Sequence, residues 1–383
     1  MTVSKERLEA FEAALRASFP EGLALFTDAE TLAPYARDES DLGEFPAQLL
    51  VRAANTAQVS RVLALATELE VPVTPVGARS GKSGGSLAVQ GGVVLSLEAM
   101  NRIVEVNADD LLMVVQPGVL TAQVDEAAAR LGLFYPPDPN SAGYCTMGGN
   151  VAENAGGPRA LKYGVTRDYV IGLEWVLPTG EVLRVGRRTG KGVAGYDLVA
   201  LFVGSEGTLG VATEITVKLI PRPRVVKTAL IPFRNVSDAA RALSSVLTSG
   251  LWPRTLELLD EVALKAIAGR GLPVPPEAGA VIIAELDGNH EPGVLSELSM
   301  LVDQCASWAS LEAVVAQDES QRERLWAVRK EVSPALRALT GMKISEDIVV
   351  PRSKVPEAIE RFKAAGARAG LTVATYGHAG DGN

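Results

Sequence analysis

The sequence predicts an α+β protein built from two successive domains. Its 383 residues are enough for two or three domains at about 100–200 residues each. A strand, a helix and a strand follow one another in residues 49–76, carried by LLVRAAN, TAQVSRVLALATELE and VPVTPV, which is how an α/β unit begins. The proline-containing run PRPR at 221–224 then interrupts the predicted elements, and strands alternate with helices beyond it. We therefore place a domain boundary there.

The first region divides into an N-terminal helix and loop, residues 1–44, and a larger domain, residues 45–222. Ser4 is predicted to cap the N-terminal helix, and Thr56 and Thr121 are predicted to cap the next two helices. Short strands are predicted at GGVVLSL, RIVEV and LLMVVQ, and a hairpin is predicted between VIGLEWVLP and EVLRVG.

The second region, residues 223–383, is predicted to be an α+β domain of its own. Helices are predicted from Ser237 to about Ala268, at VLSELSMLVDQCA, around Trp326 and at PEAIERFKAAGARA. Strands are predicted at VVKTALIPF, AVIIAEL, KISEDIVV and LTVATYG. This alternation favours a sheet with helices on one face.

Charge and composition argue against several classes of protein. With a net charge of −9 and no run of Lys or Arg, a nucleic-acid partner is not expected. No apolar run reaches the ~18–20 residues of a membrane span, so no transmembrane segment is expected. Cys145 and Cys305 lie far apart without a CxxC motif, which argues against a disulfide framework or a zinc finger and fits a reducing, cytoplasmic location.

The first glycine-rich loop, PVGARSGKSGGS at residues 75–86, follows a predicted strand and offers backbone N–H groups to a phosphate. Three residues separate Gly77 from Gly81, whereas a Walker A loop needs four. The GxSxG match at Gly81 runs into more glycine and a strand instead of the helix of a nucleophile elbow. We interpret the loop as a pyrophosphate cradle of another kind; a structural glycine turn, a phosphate-loop NTPase and a serine hydrolase are the alternatives.

Two further segments are rich in glycine. GKGVAG at 190–195 matches GxGxxG, but the helix after it is short, so we interpret it as a decoy and not as an NAD site. PPDPNSAGYCTMGGNVAENAGG at 136–157 is dense in small residues that let a large planar or pyrophosphate-bearing ligand approach the main chain. A long surface loop is the alternative. Because three glycine-rich loops of one domain can converge on one ligand, we favour ligand binding.

Taken in order, PVGARSGKSGGS, PPDPNSAGYCTMGGNVAENAGG and YDLVALFVGSEGTLGVATEIT resemble the FAD-linked oxidases and dehydrogenases of the vanillyl-alcohol-oxidase type flavin fold. Within that fold they are most similar to the branch of glycolate oxidase catalytic subunits and D-lactate dehydrogenases. LWAVRKEV, KISEDIVVPRSKVPE and YGHAGDGN continue the resemblance, which covers roughly residues 40–383.

The resemblance implies a FAD-binding domain of two α+β subdomains over residues 45–222 and an α+β substrate-cap domain with an antiparallel sheet over residues 223–383. It implies noncovalent FAD, because covalent members often carry a His in the first loop and this chain has none there. Cys145 is interpreted as a small buried filler and not as a covalent thiol. The implied cofactor-binding residues are Pro75, Gly77, Arg79, Ser80, Gly81, Ser86, Asp138, Ser141, Thr146, Gly149, Asn154, Glu206, Gly207 and Gly210.

For the substrate, the resemblance implies oxidation of a 2-hydroxy acid, glycolate or D-lactate, to the 2-oxo acid by hydride transfer to flavin N5. Such a substrate needs a cation for its carboxylate and a base for its hydroxyl proton. Arg329 matches the family's carboxylate-binding arginine, whose planar fork suits a carboxylate, and Lys343 is a weaker catalytic candidate. His378 matches a catalytic histidine that binds a divalent metal, such as zinc or manganese, in metal-dependent members. An exposed arginine, a solvated lysine and a structural histidine are the alternatives.

In the family, the motif at His378 continues with a leucine and a second histidine, whereas this chain stops at Asn383. We therefore expect the domain over residues 223–383 to be incomplete at its C-terminal side, with one imidazole of the metal site and no turnover. A catalytically inactive FAD-binding subunit, which needs the missing part or a partner subunit, is the alternative function. Three points stay open. The electron acceptor is oxygen, a quinone, a cytochrome or an iron–sulfur partner subunit; the protein is a monomer or a homodimer; and its cytoplasmic position includes, as an alternative, a peripheral one at the inner face of the membrane.

Overall fold

The computed structural model describes residues 3–20, 22–40, 42–340 and 343–383. The chain folds as two units. The first consists of Met1–Gly157 and Gly164–Arg222, and the second of Pro158–Tyr163 and Pro223–Asn383. The short segment 158–163 therefore belongs to the second unit, although the residues on both sides of it belong to the first.

Element labels run in chain order along both units. The helices are α1 (Lys5–Ser18), α2 (Ala29–Leu32), α3 (Thr56–Glu68), α4 (Thr121–Ala129), α5 (Met147–Glu153), α6 (Ala160–Tyr163), α7 (Thr166–Tyr169), α8 (Leu198–Phe202), α9 (Val236–Thr248), α10 (Glu261–Ile267), α11 (Glu291–Ala306), α12 (Glu319–Lys330), α13 (Val332–Thr340) and α14 (Val355–Ala369). Within the described part of the chain, no helix combines the length and the apolar character needed to cross a membrane.

The strands are β1 (Ala24–Phe26), β2 (Leu49–Arg52), β3 (Val73–Val76), β4 (Val93–Ser96), β5 (Ile103–Asn107), β6 (Leu112–Val115), β7 (Leu133–Phe134), β8 (Val170–Val176), β9 (Val182–Gly186), β10 (Val211–Lys218), β11 (Ile220–Pro221), β12 (Val225–Phe233), β13 (Thr255–Asp260), β14 (Ala280–Gly288), β15 (Val314–Val315) and β16 (Tyr376–Gly377).

The N-terminal caps of the helices agree with the sequence prediction at one helix and differ from it at two. The side chain of Ser4 caps α1 by accepting the N–H of the third helical residue, so this prediction is confirmed. The predicted caps at Thr56 and Thr121 are wrong, because both are the first residues of their helices. Asn55 caps α3 with its amide oxygen. At α4 the N-cap is Leu120, which has no side-chain oxygen to offer.

Two sheets form the first unit. One has the order β1–β2–β4–β3, with β2, β4 and β3 parallel and β1 antiparallel to β2. The other has the order β5–β6–β10–β8–β9 and is antiparallel throughout. A short antiparallel pair joins β7 to β11. The predicted strand–helix–strand unit, β2–α3–β3, and the predicted hairpin, β8–β9, are confirmed.

Helix α3 packs against both sheets of the first unit. Val59 and Val62 on its apolar face share one core with Leu49 of β2 and with Val176 and Val211 of the second sheet. The helix therefore fixes the end of β3 relative to β8 and β10. This arrangement determines where the loops that follow β3 and precede β10 meet.

The second unit is built on one antiparallel sheet of order β15–β12–β14–β13–β16. Side chains alternate between its two faces. Ile231 and Ile282 pack with α9, α11 and α14, whereas Leu230 and Ile283 pack with α10, α12 and α13. Helices therefore cover both faces, and the prediction of helices on one face was wrong. The unbroken apolar run at the start of β14 is typical of a strand covered on both sides.

Three other predictions for the second unit need correction. Strand β13 interrupts the stretch from Ser237 to Ala268 that was predicted as helical. No strand forms at residues 343–350, most of which are exposed, and the predicted strand LTVATYG shortens to β16. Helices α11, α12 and α14 are confirmed.

A buried carboxylate, Asp287, ties the segment 158–163 to the sheet of the second unit. Its side chain is fully buried on β14. It accepts hydrogen bonds from Lys162 Nζ at 2.5 Å, Tyr163 Oη at 2.8 Å and Arg254 Nη1 at 3.1 Å. Since a buried charge is tolerated only when it is paired, these donors make α6 part of the second unit.

A second buried carboxylate on β14, Glu285, ties down α12. It accepts hydrogen bonds of 2.7 Å from Arg322 Nε, Trp326 Nε1 and Thr228 Oγ1. Burial raises the pKa of this carboxyl, but the charges of Arg322 and Arg254 outweigh burial and leave the pKa below its usual value. Glu285 is therefore a carboxylate in the folded protein.

We expect Asp287→Ala to destabilise the protein strongly, because it removes a buried negative charge from beside Arg254 and Lys162. Breaking a buried ion pair by removing one partner costs about 3–5 kcal/mol. The measurement is the free energy of unfolding in urea. The control is Glu357→Ala, because the ion pairs of Glu357 with Lys354 and Arg361 are exposed and contribute little to stability. Equal decreases in the free energy of unfolding of the two variants would contradict the stabilising role of Asp287.

Candidate functional site

A cavity of about 220 Å³ lies in the first unit where three glycine-rich loops meet. The first loop follows β3, the second leads into α5, and the third leads into β10. The predicted cofactor-binding residues that line this cavity are Pro75, Gly77, Arg79, Ser80, Gly81, Ser86, Ser141, Thr146, Gly149, Glu206, Gly207 and Gly210. Asp138 and Asn154 are not among the described residues that line it.

The first loop is held by close backbone packing and by a charged pair. A Cβ atom on Gly77 would lie 2.2 Å from Thr146 Oγ1, so only glycine lets the first loop pack on the second. Arg79 lies in the left-handed region at φ 58°. Its guanidinium pairs with Glu98 at 3.2 Å and lies 4.3 Å from the ring centroid of Tyr35. These contacts hold Arg79 against the first sheet while it lines the cavity.

The second loop is ordered by its own polar side chains. Thr146 caps α5 by accepting the N–H of Gly149 at 3.4 Å. Asn150 donates to Thr121 Oγ1 at 2.5 Å, inside the protein. Asn154 ends α5 in the left-handed region at φ 52°, and its Oδ1 accepts the N–H of Arg167 at 2.9 Å. Asn154 therefore shapes the loop.

The third loop combines left-handed backbone with an unpaired hydroxyl. Glu206, Gly207 and Gly210 have φ values of 51°, 73° and 134°. A Cβ atom on Gly210 would lie 2.2 Å from the carbonyl oxygen of Val176. Ser205 Oγ is buried and has no hydrogen-bond partner among the residues that the structure describes.

Sequence reasoning missed Glu153, a half-buried carboxyl in the cavity wall. It accepts a hydrogen bond from Ser83 Oγ at 3.3 Å. Burial, together with the charge of Glu206, raises the pKa of this carboxyl. Its position within GGNVAENAGG, between the predicted binding residues Gly149 and Asn154, could have identified it.

The lining fits the FAD that the resemblance implies. Glycine walls allow a large ligand to approach the main chain. The buried hydroxyl of Ser205, which precedes the lining residue Glu206 in the chain, has no hydrogen-bond partner among the described residues, as expected where a polar ligand atom completes the pairing. A histidine for covalent attachment is absent from residues 75–86. Cys145 lines the cavity with its thiol 3.2 Å from Thr121 Oγ1, as a buried residue.

In the second unit, the structure brings the three predicted catalytic residues into one cluster around Glu257 and Tyr376. Glu257 Oε2 accepts from Arg329 Nε at 2.7 Å, and Glu257 Oε1 lies 2.5 Å from His378 Nδ1. Lys343 Nζ donates to Tyr376 Oη at 2.7 Å. The guanidinium carbon of Arg329 lies 5.0 Å from the ring centroid of Tyr376. Arg329 is therefore not an exposed helix arginine, since it is 8% exposed.

The cluster shifts the pKa values of its members. Burial raises the pKa of Glu257, but His378 and Arg329 outweigh burial and leave it lowered. Burial lowers the pKa of His378, but the Glu257 carboxylate outweighs burial and leaves it raised. Burial raises the pKa of Tyr376, but its hydrogen bond with Lys343 helps to leave it lowered. The site is a buried anion flanked by cations.

Sequence reasoning missed Glu257 and Tyr376. Glu257 lies in TLELLD, an acid between leucines, in a stretch predicted as helical. Tyr376 directly precedes the GHAGDGN motif, which offered a signal by position. His290, to which no role was assigned, caps α11 by accepting the N–H of Gly293 at its Nδ1.

The residues present do not fit a bound divalent metal. In residues 3–20, 22–40, 42–340 and 343–383, no group of three or more His, Cys, Asp or Glu is arranged to hold a metal ion. His378 has two carboxyl neighbours, Asp381 and Glu257, and Glu257 also accepts a hydrogen bond from Arg329. Catalytic metal sites usually take about three protein ligands.

Two protein-family models match successive parts of the chain. A family model described as "FAD binding domain" matches residues 47–186, and one described as "FAD linked oxidases, C-terminal domain" matches residues 222–383. The chain is 40% identical to "Glycolate oxidase subunit GlcD" of Bacillus subtilis (strain 168) over 350 residues, which cover 91% of this chain and 74% of the relative. It is 38% identical to "D-lactate dehydrogenase" of Anaerostipes hadrus over 357 residues, which cover 91% and 75%.

Solved structures share the fold. An alkyldihydroxyacetonephosphate synthase superposes with a TM-score of 0.76 at 20% identity, covering 96% of this chain and 77% of that one. A p-cresol methylhydroxylase superposes with a TM-score of 0.70 at 19% identity, covering 84% and 69%. This likeness confirms the predicted fold class, and the matched family model described as "FAD binding domain" confirms FAD as the cofactor. The chain belongs to the FAD-linked oxidases of the vanillyl-alcohol-oxidase type, with an FAD-binding domain followed by the family's C-terminal domain.

Proposed function

We propose that the protein oxidises a 2-hydroxy acid of the glycolate or D-lactate type to the corresponding 2-oxo acid, with FAD as the cofactor. Relatives named glycolate oxidase subunit and D-lactate dehydrogenase, at 37–40% identity, support this proposal. The observation that carries it is the pairing of Arg329 and His378 on one buried carboxylate, Glu257. A guanidinium can bind the carboxylate of a 2-hydroxy acid, and an imidazole can form a hydrogen bond with its adjacent hydroxyl group.

The three glycine-rich loops would hold FAD, with the first, residues 75–86, at the pyrophosphate and the second, residues 136–157, at the isoalloxazine and ribityl chain. When bound, FAD supplies the acceptor of the hydride from the α-carbon. The backbone of these loops needs glycine where they approach each other. The protein thereby contributes binding and orientation.

Arg329 and Lys343 bind and orient the substrate carboxylate. Arg329 uses Nε for Glu257, and among the described residues its two terminal nitrogens have no hydrogen-bond partner. These two nitrogens can donate parallel hydrogen bonds to the two oxygens of a carboxylate. Lys343 adds a second positive charge beside Tyr376.

His378 contributes an imidazole to the site as a polar partner for the substrate hydroxyl. Its Nδ1 is occupied by Glu257, so Nε2 is the ring atom left for the substrate. The negative charge of Glu257 favours the imidazolium form of His378, because a nearby opposite charge stabilises the charged form.

We propose further that electrons leave the protein to an iron–sulfur partner subunit or a quinone. The relatives from Bacillus subtilis and Escherichia coli carry the word "subunit" in their names, which supports a partner. A cytoplasmic position, peripheral at the inner face of the membrane, fits such an acceptor. The free, buried thiols of Cys145 and Cys305 fit a reducing compartment.

We expect Gly77→Ala to lower FAD content, because the added methyl group would overlap Thr146 Oγ1 and push the first two loops apart. Overpacking costs roughly 1–3 kcal/mol, or about 5- to 150-fold in affinity. The measurement is flavin absorbance per protein. The control is Gly143→Ala in the second loop, where an added Cβ meets nothing within 4 Å. Equal FAD content in the two variants would contradict this prediction.

The FAD is expected to be noncovalent, because the first loop has no histidine and Cys145 is buried beside Thr121. Acid precipitation should release the flavin into the supernatant. A yellow pellet would show covalent attachment.

Arg329→Ala is expected to lower kcat/KM for D-lactate or glycolate roughly 30- to 1000-fold, with FAD content unchanged. The reason is the loss of a bidentate charged contact. Reduction of the flavin is followed at its visible absorbance under anaerobic conditions. The control is Arg324→Ala, on the same helix but exposed. Equal rates of flavin reduction in the two variants would show that Arg329 is not the carboxylate anchor.

The unsubstituted protein decides between the two candidate functions. If it retains FAD but neither D-lactate nor glycolate reduces the flavin, the result would favour an inactive FAD-binding subunit.

A further inference from the structure

Four polar side chains of the first unit meet outside the carboxyl ends of three parallel strands. Strand β4 lies between β2 and β3, and all three run in the same direction. Arg52 ends β2, Glu98 follows β4 by two residues, and Arg79 follows β3 by three. Tyr35, from the 3₁₀ turn after α2, is buried in a small core with Val76. Because ligands of sheets with parallel strands bind outside this edge, the cluster lies where a ligand is expected.

Glu98 is the centre of this cluster. Its carboxylate accepts hydrogen bonds from Arg79 Nη1 at 3.2 Å and from Tyr35 Oη at 3.0 Å. Arg52 Nε lies 3.8 Å from the same carboxylate, and Arg52 Nη2 donates to Tyr35 Oη at 3.1 Å. Two arginines therefore share one carboxylate, and the cluster carries an excess of positive charge.

Arg79 is the member of the cluster that lines the cavity, and its side chain is 20% exposed. Its Nη1 pairs with Glu98, and its guanidinium lies 4.3 Å from the ring centroid of Tyr35. Among the residues that the structure describes, its Nε and Nη2 have no hydrogen-bond partner. These two nitrogens form one edge of the guanidinium, and such an edge can donate parallel hydrogen bonds to two phosphate oxygens.

The backbone of Arg79 gives a second, independent reason to connect its side chain with a ligand. Its φ of 58° lies in the left-handed region, which glycine adopts without strain and which long side chains rarely adopt. Residues in such conformations persist where their surroundings hold them, and they occur frequently at ligand sites. A glycine would satisfy the shape of the loop, so the loop geometry alone does not explain an arginine here.

We propose that Arg79 is an anchor for the phosphate groups of FAD and that Glu98 is the residue that positions it. Glu98 fixes the guanidinium before the cofactor binds, so the long side chain loses little conformational entropy on binding. This inference deepens the proposed function, in which the first loop lies at the pyrophosphate. A purely structural role, as an ion pair that braces the first loop, would affect the stability of the protein and not its affinity for FAD.

The variants Arg79→Asn and Glu98→Ala test the proposal. Asparagine tolerates the left-handed region and carries no charge. The matched control is the ion pair of Arg188 with Glu105 in the same unit, which receives the same two substitutions. The side chains of Glu98 and Glu105 are 38% and 35% exposed, and neither member of the control pair is among the described residues that line the cavity.

The measurements are the dissociation constant of FAD, titrated into the apoprotein of the whole chain, and the free energy of unfolding of that apoprotein in urea. Arg79→Asn is expected to weaken FAD binding about 10- to 150-fold, which corresponds to a hydrogen bond with a charged group. Glu98→Ala is expected to weaken it about 2- to 10-fold, which corresponds to the ordering of one long side chain.

A double variant separates positioning from other effects of Glu98. If Glu98 acts through Arg79, Glu98→Ala should not weaken FAD binding further when Arg79 is already replaced by asparagine. The free energy of unfolding of Arg79→Asn should match that of Arg188→Asn, because the anchor has no ligand to hold in the apoprotein.

Four results would overturn the proposal. Equal FAD affinity in Arg79→Asn and Arg188→Asn would exclude the anchor. Tighter FAD binding in Glu98→Ala would show that Glu98 only neutralises Arg79, and a loss that persists in the double variant would show that Glu98 does not act through it. An Arg79→Asn protein that fails to fold would assign Arg79 a structural role. These results concern FAD binding alone, whereas flavin reduction by a 2-hydroxy acid decides the proposed function.

Discussion

A carboxylate buried in an apolar sheet has to be surrounded by hydrogen-bond donors, and this requirement arranges much of the second unit. Glu257 and Glu285 lie on neighbouring strands of its sheet. Arg322, Trp326 and Arg329, at i, i+4 and i+7 on one face of α12, donate to them. The two carboxylates thereby fix both the rotation and the register of α12. An apolar contact alone would let such a helix slide by a turn.

The first unit depends on a different constraint, the close approach of main chain to main chain. Gly77 packs on Thr146, and Gly210 packs on the carbonyl oxygen of Val176, at distances that no side chain would allow. These contacts bring the three loops to one cavity whose walls are largely backbone. Because backbone donors do not depend on side-chain rotamers, such a cavity is fixed once the two sheets are fixed through α3.

These two constraints explain which parts could be predicted from the sequence. Glycine clusters are local, so the loops at 75–86 and 136–157 were found with most of their lining residues. Glu257 was not found, because its partners lie 72 and 121 residues away and no local pattern connects them. The strand that carries it was taken for helix, since LELL fits both periods. The cap of α3 was placed one residue late, because Asn55 and Thr56 are both favourable capping residues.

The two buried charge networks of the second unit differ in one respect that bears on function. Around Asp287 the two oxygens are shared by three donors, and the arrangement ties α6 to the sheet. Around Glu257, two groups have no further hydrogen-bond partner in the described part of the chain: the second ring nitrogen of His378 and the two terminal nitrogens of Arg329. Well-packed apolar residues often replace a buried ion pair at no cost in stability. Stability therefore does not account for a network with spare donors and acceptors, whereas such a network has the groups that the proposed binding of a small anionic substrate with a hydroxyl group requires.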